Sequence, residues 1–305
     1  MTQQLIRFDW AMKRLLRSKA NFGILEGFLS ELLKQDIKIL SLLESESNKE
    51  DKDGKLNRVD LLAKLTTGEI VLIEVQVNSE SDYFCRMLYG VSKVIIEHLK
   101  EGEPYSQIKK AYSVNILYFD LGHGNDYLYH GTTSFTGVHS NDTLSLTEKQ
   151  KELFKKEKIH EIYPEYYLIK VNQFNEIAKD TLDQWIYFLK TEEIKDSFHA
   201  KGLIEAKEKL DSLKLNPQEK EEYKKYIENL TYQKSMVISN YEEGRVEGEA
   251  AGMVKGKIEG MVEGEAKGKI EGKIEVAKTM KKAGMTNEVI KQFTGLSADQ
   301  IGKIL

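Results

Sequence analysis

Through residues 8–34, FDWAMKRLLRSKANFGILEGFLSELLK, apolar side chains recur at three- and four-residue steps. That spacing predicts an amphipathic helix, with Asn21 and Gly23 permitting a break in it. DIKILSLLES predicts a strand, and the polar run ESNKEDKDGK after it predicts a loop turning at Asp53-Gly54. Two more strands follow, NRVDLLAKL and EIVLIEVQV, separated only by Thr66-Thr67-Gly68. SDYFCRMLYGVSKVIIEHLKEG predicts a second helix, with Ser81 as its N-cap and Gly102 just past its end. YSVNILYFDL and PEYYLIKVNQF predict strands, and YLYHGTTSF between them reads as extended. From Ala178 to Asn240 the pattern is helical and charged, with a helix starting at Pro217. Helices interleaved with a central sheet predict an α/β domain over residues 1–175 and a helical region over 176–240.

The hairpin carries an acid at the centre of each strand. Alternation puts Val59, Leu61, Ala63 and Leu65 on one face of the first strand and Arg58, Asp60, Leu62 and Lys64 on the other. In the second strand Val71, Ile73, Val75 and Val77 oppose Leu72, Glu74, Gln76 and Asn78. A three-residue loop, Thr66 to Gly68, suits a type I turn closed by a left-handed glycine and sets Leu65 opposite Glu69. Asp60 then falls opposite Glu74, and Arg58 opposite Gln76. An even-numbered loop would mix each acid with the other strand's apolar face, which burial disfavours. Like charges on opposed positions are destabilising. Two readings follow: a solvated polar face, or a cradle in which a hard divalent cation, Mg²⁺, removes the conflict by taking carboxylate oxygens.

After Tyr241 the composition changes. Glycine stands at 244, 248, 252, 256, 260, 264, 268 and 272, with Val, Ala or Ile two residues after each and charges or Met in most other places. A four-residue step overshoots the helical turn by about 40° each time, so the glycines wind around a helix instead of holding one face. A strand with period-two alternation is the other possibility, which the Lys/Glu content disfavours. The repeat, residues 241–275, is expected to be helical; such a segment buries too little alone, so self-association is expected through residues 244–305. KKAGMTNEVIKQFTGLSADQIGKIL predicts two short helices in a segment over 276–305, Gly295 ending one and Ser297-x-x-Gln300 capping the next.

Composition narrows the function. With 40% hydrophobic and 31% charged residues the chain builds a core and keeps a solvated surface. Its net charge of −4 means that nucleic-acid binding would rest on a local basic patch. The single cysteine, Cys85, excludes an intrachain disulfide and is expected to be packing; it suits a reducing, cytoplasmic setting. No apolar run approaches the ~20 residues of a membrane helix, and no small-molecule cofactor motif stands out. DLGHGND has the glycines of a phosphate loop without its lysine, and His123 and His130 are expected to be structural.

An acid in one strand, an apolar hairpin and then IEVQ resembles the PD-(D/E)XK nuclease core, in a variant with glutamine in place of the final lysine. The order of FDWAMKRLL, VDLLAKL, EIVLIEVQV and SESDYFCRMLYGVSKVI, with YSVNILYF and the glycine tail, is similar to the Rpn recombination-promoting nucleases, also described as a PD-(D/E)XK family transposase group. The resemblance covers most of the chain and implies an α/β restriction-endonuclease-like core, a mixed central sheet flanked by helices, with a helical C-terminal extension. It implies that Asp60 and Glu74 bind the metal, that Gln76 holds the motif-lysine position, and that Asp9 adds an acid. Asp9 is also readable as a helix-start carboxylate, and Lys64, a candidate replacement cation, reads more readily as a solvated strand lysine. Glutamine orients a water but supplies no charge. The implied chemistry is metal-assisted phosphodiester hydrolysis of DNA. Lys13, Arg14, Arg17 and Lys19 either hold the DNA backbone or form the solvated face of their helix. Against this enzyme stands a scaffold, in which the nuclease core survives and the tail assembles subunits.

Overall fold

The computed structural model describes residues 5–43, 60–99 and 101–304, without the side chains of Lys13 and Leu213. The loop expected at Asp53-Gly54 and the position of Arg58 lie outside the described residues. The chain divides into two units, one ending at Lys224 and the other beginning at Lys225.

The first unit is built on a mixed sheet of order β1-β2-β3-β4-β6-β5. β1 (Ile39–Leu42), β2 (Leu61–Leu65) and β3 (Ile70–Gln76) form an antiparallel meander. β4 (Ala111–Leu117) runs parallel to β3, and β6 (Glu165–Lys170) parallel to β4. β5 (Leu128–Gly131) closes the edge antiparallel to β6. The strands predicted from alternation are all present, although β6 passes into a 3-10 turn at Val171–Gln173, sooner than the sequence suggests.

The first predicted helix is interrupted where expected, giving α1 (Phe8–Arg14) and α2 (Phe22–Leu33) around a 3-10 turn at Lys19–Asn21. Phe8 meets Phe28, Trp185 and Phe188 edge-on at 5.8, 6.2 and 6.2 Å, which ties α1 and α2 to α5 (Thr181–Thr191). α6 (Leu203–Lys209) packs on α2 through a close approach: a Cβ on Gly27 would stand 2.3 Å from the Lys201 carbonyl oxygen. α4 (Glu148–Phe154) was not anticipated, although Thr147 and Gln150 form a full capping box at its start.

α3 (Tyr83–Glu97) crosses from β3 to the parallel strand β4. Its Val91 and Val94 pack on Leu62, Ile70, Leu72 and Ala111, and its Tyr83 and Met87 on Leu117 and Phe119. Those strand positions share the parity of Glu74, so α3 covers the acid-bearing face of the sheet. The opposite face of β2 and β3, from Leu61 to Val75, is also buried. Three expectations for α3 need correction, beginning with its end, which falls at Glu97 and not beside Gly102. Asp82, not Ser81, is the N-cap, and it makes no side-chain capping bond. Cys85 is exposed, because the buried stripe runs through Tyr83, Met87, Val91 and Val94 and leaves Cys85 on the outer side.

One helix, α7 (Pro217–Lys282), starts at the predicted proline and runs through the whole glycine repeat, so the composition changes at 240 and 275 are not element boundaries. The division between units falls inside it. In the second unit, Ala277 near its end clusters with Ile290 of α8 (Asn287–Thr294) and Ile301 of α9 (Ala298–Gly302). The predicted signals hold there: Gly295 ends α8 at φ +67°, and Ser297 and Gln300 form the capping box of α9. No helix among the described residues is long and apolar enough to cross a membrane.

Candidate active site

The hairpin has the expected register. Leu61 pairs with Ile73, Ala63 with Val71 and Lys64 with Ile70. The Leu65 N–H donates to the Glu69 carbonyl at 2.9 Å and the Gly68 N–H to the Leu65 carbonyl at 3.0 Å, with Gly68 at φ +91°. Continued one step beyond β2, this register puts Asp60 across from Glu74. The Val75 N–H fixes Asp60 Oδ2 at 2.7 Å, and Arg17 Nη2 donates to the Asp60 carbonyl oxygen at 2.9 Å. Asp60 is therefore held at its carboxylate by a backbone N–H and at its carbonyl by a guanidinium.

Glu74 is only 3% exposed. Tyr83 Oη lies 3.3 Å from its Oε2 and Arg86 Nε lies 3.5 Å from the same oxygen, while Oε1 is buried with no hydrogen-bond partner. Burial pushes its pKa up to about 7; Arg86 opposes the rise, and the Asp60 carboxylate adds to it. Burial and the neighbouring Glu74 also hold the Tyr83 phenol well above its ordinary range, so it stays a donor. Asn115, across from Glu74 on β4, gives its Nδ2 to Ser113 and to the Tyr167 carbonyl, leaving Oδ1 to Tyr83 at 3.0 Å. A phenol has one proton to give. When it goes to Asn115, a protonated Glu74 completes the chain by donating to Tyr83.

Three residues beside the acids were not singled out in the sequence. Glu80 Oε1 accepts from Gln76 Nε2 at 2.6 Å and from Arg86 Nη1 at 2.8 Å, and its Oε2 from the same Nη1 at 3.0 Å. Tyr83, Glu80 and Arg86 reach β3 only because α3 docks on this face. Their signal was a helix segment following IEVQ, with no strand parity to mark it.

The other candidates are placed as follows. Asp9 is 2% exposed on α1, where it accepts from the Trp10 N–H at 2.8 Å and pairs with Arg7 at 3.2 Å. Arg7 in turn pairs with Glu192 at 2.9 Å and stands 5.0 Å over the Tyr118 ring. Lys64 shares the face of Asp60 but sits at the hairpin end, about 13 Å away along the strand. The cation beside Glu74 is Arg86. Arg14 pairs with Glu222 at 3.4 Å, and Lys19 is exposed. His130, itself exposed, stacks on Tyr167 at 4.4 Å and meets Glu165 at 2.9 Å, the buried carboxylate that also pairs with Lys110.

These residues suit a divalent cation. Two carboxylates lie on adjacent strands, one with an unpartnered buried oxygen, and a hard ion takes oxygen ligands of this kind. Among the described residues no three His, Cys, Asp or Glu side chains group as a metal set; Mg²⁺ sites commonly use one or two carboxylates, with water and substrate phosphate as the remaining ligands.

A mixed sheet whose central strand carries an acid opposite a second acid, with a helix crossing to a parallel neighbour, defines a restriction-endonuclease-like nuclease core. The PD-(D/E)XK nuclease family transposase profile matches residues 6–240, and the chain belongs to that family. Membership makes it a nuclease hydrolase in general, of a kind that acts on DNA and generally uses divalent metals. No curated protein and no solved structure matches the chain.

Proposed function

We propose that the protein is a Mg²⁺-dependent DNA endonuclease, acting in the cytoplasm in recombination, transposon-like mobility or defence. The observation that carries this reading is the buried, unpartnered Oε1 of Glu74 beside Asp60. A carboxylate oxygen left without a partner in a core is costly, and a ligand absent from the chain accounts for it. Asp60 and Glu74 would hold the ion, which supplies Lewis-acid polarisation of a phosphoryl oxygen. Gln76 orients water or phosphate by hydrogen bonding, once released from Glu80. The backbone clamp on Asp60 keeps its carboxylate in place before substrate arrives. Asp9, held by Arg7, is an accessory acid in this reading.

Plasmid DNA incubated with protein and Mg²⁺ should be nicked and linearised. EDTA should stop this, and Glu74→Ala should lower the rate by at least about 100-fold. Intact plasmid with the wild type under every divalent ion would refute the nuclease reading.

We further propose that the tail assembles copies of the chain. Each of the eight repeat glycines has nothing within 4 Å of where a Cβ would stand, and Val246, Val254, Ile258 and Val262 on the same helix are more than half exposed. Light scattering on the full chain should give an oligomeric mass, and a truncation after Asn240 a monomeric one. Equal monomeric masses would refute assembly through the tail.

A further inference from the structure

Phosphodiester hydrolysis gathers negative charge on the phosphoryl oxygens, and Gln76 carries no charge to meet it. We propose that Arg86 of α3 binds the substrate phosphate at this site, and that Glu80 holds the guanidinium in position until the phosphate displaces it. The proposal rests on the nuclease reading given above.

Donor geometry is the first support. A guanidinium offers five N–H donors in a rigid fork. In Arg86 only Nη1 has acceptors, the two oxygens of Glu80 at 2.8 and 3.0 Å. Nε is buried 3.5 Å from Glu74 Oε2, paired by charge without a hydrogen bond. Among the described residues the two Nη2 hydrogens therefore have no acceptor, on a side chain 24% exposed beside the paired acids. Arginine with free donors fits a phosphate, which takes such a fork bidentately.

Position is the second support. Lys64 is about 13 Å from Asp60 along β2. Lys170 is buried with an unpartnered Nζ, but it lies two strands beyond Gln76, about 10 Å away, with that Nζ over the Tyr129 ring at 5.7 Å. Arg17 gives an Nη2 hydrogen to the Asp60 carbonyl oxygen, not to either carboxylate. Arg86 is the cation that reaches Glu74.

Glu80 gives the proposal its sign. It competes with a phosphate for the same guanidinium hydrogens and adds a negative charge, so neutralising it should favour DNA. A purely structural Arg86–Glu80 pair predicts the opposite, with either substitution weakening the site.

The test is anisotropy of a fluorescent DNA duplex with the full-length protein in EDTA across a salt series, with kcat and KM measured separately in Mg²⁺. Arg86→Ala should weaken binding about tenfold and lower the salt slope by about one. Arg86→Lys should keep the slope but recover only part of the affinity and of kcat, because it keeps charge and loses the fork. Glu80→Gln should tighten binding several-fold. Circular dichroism checks folding, and if Arg86→Ala unfolds, Arg86→Lys and Glu80→Gln still decide. Unchanged affinity and slope in Arg86→Ala, weaker binding in Glu80→Gln, or no duplex binding by the wild type would each overturn the proposal. A wild type that binds DNA but cleaves none refutes the nuclease reading and leaves the binding comparison to judge Arg86.

Discussion

Glu74→Gln will stabilise the metal-free protein at pH 8 by roughly 3 kcal/mol and leave it nearly unchanged near pH 4.5. The pKa of Glu74 rises from its ordinary 4.5 to about 7 in the folded chain, chiefly through burial, with Asp60 adding to the rise against Arg86. Between these values the unfolded chain has released the proton and the folded chain still holds it. The unfolded state therefore binds fewer protons, and stability falls as pH rises through the window. Each pKa unit is worth about 1.4 kcal/mol, which sets the size of the full loss above pH 7. Glutamine removes the titration while keeping an acceptor for Tyr83. Urea midpoints at the two pH values measure the difference, and for the first unit roughly 3 kcal/mol corresponds to a shift of about 6–12 °C in Tm. An equal gain at both pH values would show that Glu74 is not held near neutrality by its surroundings.

The same substitution separates ion binding from folding. A ligand that binds only the folded state stabilises it by mass action. Mg²⁺ at pH 8 should raise the wild-type midpoint and leave Glu74→Gln where it was. If both variants gain equally, the ion binds elsewhere and the paired acids are not its site.

The hairpin was legible in the sequence because two local rules coincide there. Period-two alternation fixes which side chains share a face, and the length of Thr66-Thr67-Gly68 fixes how the strands meet. Asp60 and Glu74 follow from those rules without tertiary information. Caps were legible for the same reason at Gly295 and at Ser297 to Gln300, and Thr147 to Gln150 carried an equal signal that was passed over. Helix docking was not legible. α3 exposes Phe84, Leu88, Tyr89 and Ile96 on its outer side, so apolar content did not reveal which stripe is buried, and Cys85 was misplaced. Arg86 and Glu80 carry no strand parity and join the site only through the docking of α3 across β3. Lys64 shows a different limit: alternation gave its face, while its four-residue separation from Asp60, about 13 Å along the strand, already put it out of reach of the acids.

Replacing the eight repeat glycines, from Gly244 to Gly272, with alanine will strengthen the helix and abolish the self-association proposed for the tail. Each glycine lowers helix stability by about 1 kcal/mol relative to alanine, so the set opposes α7 by about 8 kcal/mol. Ion pairs along the repeat do not offset this. Arg245–Glu249, Lys255–Glu259, Glu263–Lys267 and Glu265–Lys269 are four-residue-spaced pairs at 2.6, 3.9, 2.7 and 2.6 Å on an exposed surface. Such pairs contribute about 0.3–0.5 kcal/mol each, roughly 2 kcal/mol together. A helix this compromised needs burial from outside, and residues 246 to 270 bury none within the chain. Nothing within 4 Å obstructs the added methyl groups in the single chain. Their cost arises only if a second backbone comes close to the glycine stripe, as glycine permits and alanine hinders. Circular dichroism should show a higher melting temperature for the alanine variant, and light scattering a monomer. A more stable helix that keeps the wild-type assembly mass would show that the glycines do not form the contact, and would place any association on the Val and Ile stripe alone.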